Sequence, residues 1–328
     1  MIKEKLIELF PEAYKLYSVT ALHFANNRTL KETEKLSELK GQERVSKIEK
    51  TYEERMGHKV DLSHPESLTE KIQWRKAYDA NRVYAVLSDK YAVREWIEKK
   101  LGKEYLIPLL GVWENSKDID FDSLPNAFVL KTNNGSHTNA IVTDKSKLDI
   151  RRTREDYRFY LKYPYGNSFQ EYHYNYIKPL IIAEQFMKEE GANDLVDYKF
   201  HCYDGEPYYC EVFTDRSGDG YIDLFDMDWN HMEYNPAFSS KVRMEKPEVF
   251  EEMKEIVQRL SAGFAYVRTD LYYINGRIYF GEMTFTPAGG YDTDMPRKWD
   301  IELGKRWDIS KPQVDPERVG VSLEGKIL

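Results

Sequence analysis

The feature that most constrains the fold of this chain is the stretch VRTDLYYINGRIYFGEMT at residues 267–284. Two runs rich in β-branched and aromatic residues flank an Asn-Gly pair at 275–276, which favours a tight turn. The stretch therefore predicts a β-hairpin. Its simplest interpretation is an antiparallel strand pair with a polar outer face and these residues in the core: Tyr272, Tyr273, Ile278 and Phe280.

The polar residues of this hairpin suggest a metal site. Strand side chains alternate between faces, so Arg268 lies with Asp270, and Glu282 lies with Thr284. A two-residue turn pairing 274 with 277 would put Asp270 and Glu282 on opposite faces. An odd-length loop, with Gly276 in the left-handed position of a G1 bulge, would bring all four together. We therefore expect an odd or bulged turn, and with it hard oxygen ligands suited to Mg²⁺ and completed by nucleotide phosphates.

Composition limits the remaining possibilities. The 328 residues are enough for about two domains, and a net charge of -8 offers no general attraction to nucleic acid. Cys202 and Cys210 flank a turn-like YDGEP and are expected to be buried free thiols. No segment approaches the ~18 apolar residues of a membrane span. The N-terminal MIKEKLIELFPEAYKLY predicts an amphipathic helix and not a signal peptide, so we expect a cytoplasmic protein.

The order of predicted elements indicates an α+β architecture. Residues 1 to about 100 are mostly helical in pattern, and several short apolar runs then predict strands: YLIPLLGVW, NAFVLK, AIVTD and IKPLIIAEQFM, with a hairpin in DYKFHCYDGEPYYCEVF. PEVFEEMKEIVQRLSAG predicts a helix before the last hairpin, because its apolar residues recur at helical spacing. Strands, a helix and a closing hairpin favour antiparallel sheets.

Lys131 marks a second candidate site. It ends the apolar run FVLK and precedes the loop TNNGS. A buried strand opening into such a loop can place backbone N–H groups and an ammonium around phosphate. The signal is weak by itself, and it is not a P-loop, because no Gly-Lys-Ser/Thr closes it.

Several segments in order carry a resemblance to a known family: LTEKIQW, SDKYAVREW, YLIPLLGVW, FVLKTNNGS, IKPLIIAEQFM, DYKFHCYDGEP and VRTDLYYINGRIYFGEMTFTP. From about Asp89 to Gly289 the chain resembles the ATP-grasp superfamily, and within it the TupA-like branch named after a teichuronopeptide biosynthesis protein. The resemblance implies an ATP-grasp fold, in which two α+β subdomains clamp ATP, preceded here by a mostly helical N-terminal region. The expected divisions are 1–85 (helical region), 86–187 (lid-side subdomain, loop and hinge) and 188–328 (central subdomain with the magnesium site and tail).

The resemblance also implies roles in nucleotide binding. Lys90 and Lys131 match the two phosphate-binding lysines, Asp197 matches the residue that binds ribose, and Lys199 on the same strand face could reach phosphate. The mobile loop and the adenine-binding hinge supply the remaining candidates: Asn133, Gly135 and Ser136 in the loop, and Glu184, Gln185, Phe186 and Met187 in the hinge.

For chemistry, the resemblance implies that Arg268 contacts the transferring phosphoryl group, with Lys131 as a second catalytic cation. Asp270 and Glu282 match magnesium ligands, and Thr284 stands where many members carry Asn.

Two residues are candidates for contacting the substrate, and each has a second possible interpretation. His137 lies where relatives tend to have glycine, and it either touches substrate or is a solvated loop residue. Arg216 either holds a substrate carboxylate or pairs with a neighbouring aspartate, Asp215 or Asp219.

The leading hypothesis is an ATP- and Mg²⁺-dependent carboxylate–amine ligase that forms an acyl-phosphate. The branch implies a hexuronic acid carboxylate joined to an amino acid or amine in surface-polysaccharide biosynthesis. Two alternatives remain: a sugar kinase that uses the same ATP site, and a glycosyltransferase or non-catalytic nucleotide-binding component of polysaccharide assembly.

Overall fold

The computed structural model describes residues 11–191, 194–214, 220–232, 239 and 244–328. The first ten residues of the expected amphipathic N-terminal helix lie outside these ranges. The α-helices are α1 (Pro11–Glu38), α2 (Gln42–Met56), α3 (Leu68–Tyr78), α4 (Arg82–Ser88), α5 (Val93–Lys100), α6 (Ile150–Lys162), α7 (Tyr165–Ser168), α8 (Phe250–Ser261), α9 (Arg297–Arg306) and α10 (Pro316–Val319).

The strands form two antiparallel sheets, as the order of apolar runs predicts. They are β1 (Leu109–Trp113), β2 (Phe128–Thr132), β3 (Ala140–Val142), β4 (Ile181–Gln185), β5 (Asp197–Tyr203), β6 (Glu206–Thr214), β7 (Tyr221–Asp226), β8 (His231–Met232), β9 (Tyr266–Ile274) and β10 (Arg277–Thr284). The four-stranded sheet has the order β1-β4-β2-β3, and the six-stranded sheet has the order β10-β9-β5-β6-β7-β8.

The chain divides into two compact units. The first comprises the residues up to Leu39, Pro108–Ser168 and Lys178–Phe186. It contains α1, the four-stranded sheet and α6. Its core combines buried strand residues such as Phe128 and Leu130 with Tyr157 of α6. Helix α1 packs along α6, where His23 and Asn26 bond to the Glu155 carboxylate at 3.0 and 3.1 Å.

The second unit comprises Lys40–Ile107, Phe169–Ile177 and Met187–Leu328. Its six-stranded sheet buries one face under α8, whose Phe250, Met253, Ile256, Val257 and Leu260 are all buried, as their spacing predicts. The opposite face carries the polar residues of the site. Both cysteines are buried free thiols, which confirms the expectation for them.

Helix α3 positions the segment that follows the last hairpin. The buried Arg75 donates to the carbonyl oxygens of Tyr266 and Phe285 at 3.0 and 2.9 Å. Gln73 and Lys76 donate to the carbonyl of Gly289 at 3.0 Å. Because a buried cation needs several acceptors, these bonds fix the chain beside the end of β10.

The turn of the β9–β10 hairpin differs from the expectation. Ile274 faces Arg277, so Asn275-Gly276 forms a two-residue turn with φ of 49° and 78°, as a type I′ turn requires. The expected odd-length loop with a G1 bulge at Gly276 was wrong. The bulge lies farther along, between Phe280 and Glu282.

Gly281 is the inserted residue, and it restores the shared face. Phe280 still faces Leu271, but Glu282 now faces Asp270 and Thr284 faces Arg268. A Cβ on Gly281 would lie 2.9 Å from the Asp270 carbonyl oxygen. Glycine is therefore required here by close approach and not by a positive φ.

None of the helices in the described ranges has both the length and the apolar character that crossing a membrane demands.

Candidate active site

The register of the six-stranded sheet aligns polar residues in two rows on the face opposite α8. The first row runs Glu282, Asp270, Lys199, Glu211 across β10, β9, β5 and β6. The second row runs Thr284, Arg268, His201, Tyr209 across the same strands. Directly opposed residues share a face, so these eight side chains form one surface, here called the polar face.

Arg268 links the residues of the hairpin. Its Nε donates to Asp270 Oδ1 at 2.8 Å, and its Nη2 donates to Asp270 Oδ2 at 2.8 Å and to Glu282 Oε1 at 3.0 Å. Thr284 accepts from Nη2 at 3.2 Å and donates to Glu282 at 3.0 Å. The structure thus brings together all four hairpin residues singled out in the sequence.

Lys199 adds a second cation to this group. Its Nζ lies 2.9 Å from Asp270 Oδ2 and 3.4 Å from Asp197 Oδ2. Burial disfavours its charged form, but the carboxylates of Asp270, Asp197 and Glu282 together outweigh this and raise the pKa of Lys199. Burial likewise acts against the Asp270 carboxylate, and Arg268 and Lys199 together keep its pKa below the ordinary value.

The donor chemistry of this group suits magnesium. The hairpin offers two carboxylates and a hydroxyl, and Mg²⁺ is commonly held by one or two carboxylates with phosphate oxygens and waters completing its shell. Among the described residues, no cluster of three or more His, Cys, Asp and Glu side chains could hold a metal by itself. Since Arg268 already bonds to both carboxylates, magnesium would share these oxygens with the guanidinium or displace it.

Lys131 and Glu184 form the centre of the first unit's candidate site. Lys131 lies on β2 and Glu184 on β4, and their Nζ and Oε2 atoms are 2.5 Å apart. Val129 faces Glu184 and Lys131 faces Ile182, so both charged side chains leave the same face of the four-stranded sheet. The Glu184 side chain is thus a partner of the phosphate-binding lysine candidate.

The hinge candidates, residues 184–187, lie at the end of β4 and directly after it. Gln185 ends β4, and its N–H donates to the carbonyl of Pro108 at 2.9 Å. Phe186 ends the segment of the first unit, and Met187 begins the next segment of the second. An adenine edge would therefore have to bind backbone groups of residues 184–187 other than the Gln185 N–H.

Asn133 is hydrogen-bonded at the root of the loop. Its buried side chain donates to the Lys178 carbonyl at 3.0 Å and accepts from the Leu180 N–H at 2.7 Å. Its own N–H donates to the Leu180 carbonyl at 3.0 Å. Because these groups are engaged, Asn133 fastens the root of the loop to residues 178–180.

The remaining loop residues are held locally. Gly135 has φ of 76° and lies against the ring of Tyr165, whose hydroxyl is 2.9 Å from Ser136 Oγ. His137 also has a positive φ, of 60°, which is uncommon for a residue with a Cβ. Thr138 accepts the Thr132 N–H at 3.1 Å and so ties the two ends of the loop together.

Three further residues were proposed from the sequence: Lys90, Asp197 and Arg216. Lys90 is partly buried in the turn after α4, where the preceding Asp89 accepts the N–H groups of Tyr91 and Ala92 at 2.8 and 3.1 Å. Asp197 is buried at the start of β5. Arg216 lies outside the described residues.

Three residues of the polar face were not singled out in the sequence: His201, Glu211 and Tyr209. His201 is buried between Glu211 and Tyr266: Nε2 is 3.2 Å from Glu211 Oε2, and Nδ1 is 2.9 Å from the Tyr266 hydroxyl. The available signal was the alternation in DYKFHCY, which puts Asp197, Lys199 and His201 on one face.

Comparison with known proteins supports the family and the fold. The family model described as TupA-like ATP-grasp matches residues 70–308. This match confirms the resemblance and the ATP-grasp fold expected from the sequence. No curated protein matches the chain.

Some solved structures are distantly similar. A D-alanine–D-alanine ligase from Bacillus anthracis complexed with ATP is 15% identical, with a TM-score of 0.37, over 69% of this chain and 68% of that one. The ATP-grasp ligase PsnB complexed with a minimal precursor is 10% identical, with a TM-score of 0.38, over 70% and 62%. D-alanyl-alanine synthetase A from Vibrio cholerae is 12% identical, with a TM-score of 0.37, over 68% and 61%. The chain thus spans less than two thirds of the last two proteins.

The assignment rests on the family model, whose match extends over well more than half of the sequence and includes Lys90, Lys131, Arg268, Asp270 and Glu282. The chain belongs to the TupA-like ATP-grasp family and so to a class of ATP-dependent ligases.

Proposed function

We propose that this protein is an ATP- and Mg²⁺-dependent carboxylate–amine ligase. A carboxylate oxygen of one substrate attacks the γ-phosphorus of ATP. ADP departs, and the product of this step is an acyl-phosphate. The nitrogen of an amine then attacks the carbonyl carbon, inorganic phosphate departs, and the nitrogen loses a proton to give an amide. A carboxylate is a poor electrophile, and phosphorylation supplies its leaving group.

The observation that carries this proposal is the arrangement around Arg268 on the polar face. The partly buried Arg268 guanidinium and the Lys199 ammonium lie within hydrogen-bond distance of Asp270, beside Glu282 and Thr284. Phosphoryl transfer depends mainly on positioning and on neutralising charge at the transferring group. Fixed cations beside magnesium-type oxygen ligands are suited to that task.

We assign the individual roles as follows. Arg268 contacts the transferring phosphoryl group, and Lys131, Lys90 and Lys199 bind phosphates. Magnesium bound by Asp270 and Glu282, with Thr284 beside them, would neutralise charge on the phosphate oxygens of ATP. Asp197 binds the ribose. The loop and hinge provide the remaining nucleotide contacts: Gly135, Ser136, and backbone groups of residues 184–187.

We further propose that the carboxylate belongs to a hexuronic acid and that the amine belongs to an amino acid or a related compound. This substrate pair, and a place in surface-polysaccharide biosynthesis, are supported by membership of the TupA-like branch. Arg216 and His137 are the candidates for contacting the carboxylate substrate, the former as a bidentate partner.

The test is ADP release from ATP and Mg²⁺ across a panel of uronic acids and amines. Lys131→Ala and Asp270→Asn should each lower kcat/KM by at least about tenfold, since each removes a charge from phosphoryl transfer. Matched controls are Lys147→Ala in the first unit and Asp228→Asn in the second, both at exposed positions. These controls should stay within about twofold of the wild type.

Retention of full activity by both Lys131→Ala and Asp270→Asn would contradict the assignment of the site. Release of ADP with the phosphate kept on a sugar hydroxyl would replace the ligase by a kinase. No ADP release with any pair in the panel would favour a glycosyltransferase or a non-catalytic component.

A further inference from the structure

A concave pocket opens on the polar face, next to the hairpin site. It lies within the second unit and is bordered by Arg268, His201 and Glu211 of the sheet. Apolar side chains form much of its remaining wall: Leu68 and Ile72 of α3, Leu224, Pro287 and Met295. The position of Arg268 at its edge places this pocket beside the atoms that we assign to phosphoryl transfer.

Two carboxylates, Glu211 and Asp292, line this pocket together with Arg268. Burial acts against the ionised form of Glu211, but the hydrogen bond from His201 together with the charges of Arg268 and Lys199 outweighs this and holds the pKa of Glu211 below its ordinary value. Burial lowers the pKa of His201 itself, so the ring is neutral at neutral pH. Because an ionised carboxylate only accepts, His201 Nε2 carries the proton that bonds to Glu211, and Nδ1 accepts from the Tyr266 hydroxyl.

The charges around the pocket favour a cation near Glu211. Its hydrogen-bond partner among the described residues is a neutral imidazole. Arg268 is engaged with Asp270 and Glu282, and the Lys199 ammonium lies against Asp270 and Asp197. Glu211 therefore has a neutral imidazole as its hydrogen-bond partner, and the two cations that act on it electrostatically, Arg268 and Lys199, are hydrogen-bonded to other carboxylates.

We propose that this pocket binds the amine substrate as its ammonium, with Glu211 as the counter-charge and the aliphatic part of the amine against the apolar wall. The proposal rests on the proposed ligase function and names the substrate class of its second step. His201 is a positioning residue: its two hydrogen bonds fix the orientation of the Glu211 carboxylate. The arrangement holds the ammonium beside Arg268; it gives one proton to the Glu211 carboxylate, and the neutral nitrogen then attacks the acyl-phosphate carbon.

The first experiment separates amine binding from formation of the acyl-phosphate. Hydroxylamine is uncharged at neutral pH and traps acyl-phosphates as hydroxamates, so it does not need a counter-charge. Glu211→Gln preserves shape and removes the charge. We expect it to raise KM for the amine about tenfold or more, the effect of losing one charge-assisted hydrogen bond, and to leave hydroxamate formation within about twofold.

Glu206→Gln is the matched control, because Glu206 is exposed on the same strand and should leave both rates unchanged. His201→Asn should raise KM for the amine less than Glu211→Gln does, with kcat for hydroxamate formation unchanged. An unaltered KM for the amine in Glu211→Gln, or an equal loss of amide and hydroxamate formation, would overturn the proposal.

A second measurement uses the wild-type protein and needs no turnover. Saturation-transfer NMR should show n-butylammonium binding and n-butanol, its uncharged counterpart, binding at least about tenfold more weakly. Equal binding of the two probes, or n-butylammonium binding unchanged by Glu211→Gln, refutes the role of Glu211. Absence of ADP and hydroxamate with every carboxylate would refute the ligase function instead. The comparison of n-butylammonium with n-butanol would still show whether the pocket binds an ammonium group.

Discussion

The bulge at Gly281 leads to a specific prediction, because it alone places Glu282 on the face of Asp270. Gly281→Ala adds a methyl group 2.9 Å from the Asp270 carbonyl oxygen and 3.1 Å from Cε2 of Tyr272. The Asp270 carbonyl oxygen belongs to the backbone, so it cannot move away by a side-chain rotation. The variant must therefore shift β10 against β9 at the residue pair that carries the two carboxylates.

The size of the effect follows from these contacts. Forcing one extra methyl group into a packed site costs about 1–3 kcal/mol of unfolding free energy. Gly276→Ala is the matched control: nothing lies within 4 Å of its Cβ, but its φ of 78° is left-handed. That conformation costs a residue with a Cβ about 1–2 kcal/mol. The two variants should thus lose similar stability by urea unfolding.

Metal binding distinguishes the two variants. Mn²⁺, a probe for oxygen-ligand magnesium sites, should be followed by electron paramagnetic resonance in the presence of ADP. Gly281→Ala should weaken Mn²⁺ binding several-fold, and Gly276→Ala should leave it unchanged. Equal Mn²⁺ affinity in the two variants, despite equal losses of stability, would refute the reasoning that the bulge builds the metal site.

Two further predictions concern stability. Asn133→Ala removes a buried amide that bonds to the Lys178 carbonyl and the Leu180 N–H, and it should lower the unfolding free energy in urea by about 1–3 kcal/mol. The exposed Ser136→Ala should change the unfolding free energy little, and equal effects of the two variants would contradict the fastening role of Asn133. Burial lowers the pKa of His173 to about 3 from its ordinary 6.5, so the unfolded chain binds more protons between these values and stability falls as pH drops below 6.5. Between pH 6.5 and pH 4.5, the unfolding free energy of the wild type should fall by about 2–3 kcal/mol more than that of His173→Phe, as measured by urea unfolding. If the two unfolding free energies depend on pH in parallel, this effect is excluded.

Local patterns predicted the elements of the fold well. The period of apolar residues located α8, because its apolar side is buried, and the short apolar runs located β1, β2 and β4. The shared face of Arg268, Asp270, Glu282 and Thr284 was also expected. The division at residues 85 and 187 stays a prediction.

The register of the last hairpin was mispredicted for a physical reason. The Asn-Gly pair fixes the position of the turn. Which residues of β9 and β10 face each other beyond Phe280 depends on a bulge six residues after Asn275. Gly281 inside a strand was the available signal, since a glycine in such a place often marks a bulge. Whether the bulge forms is decided by contacts across to Asp270 and Tyr272.

The role of Glu211 could not be predicted from local pattern. It depends on the order β9-β5-β6, which aligns Glu211 with Lys199 and Asp270 from three separate strands. The same holds for Asn133, whose partners at residues 178–180 are more than forty positions away in the chain. Pairings of this kind are set by the tertiary fold.

The central claim is that the carboxylate of one substrate is phosphorylated by ATP before the amine attacks it. The most direct measurement uses the uronic acid that supports ADP release, labelled with ¹⁸O in its carboxylate, together with the amine. One ¹⁸O atom should appear in the inorganic phosphate, because the acyl–oxygen bond breaks when the amide forms. Inorganic phosphate free of ¹⁸O, or a label retained wholly in the sugar product, would contradict the acyl-phosphate and with it the proposed function.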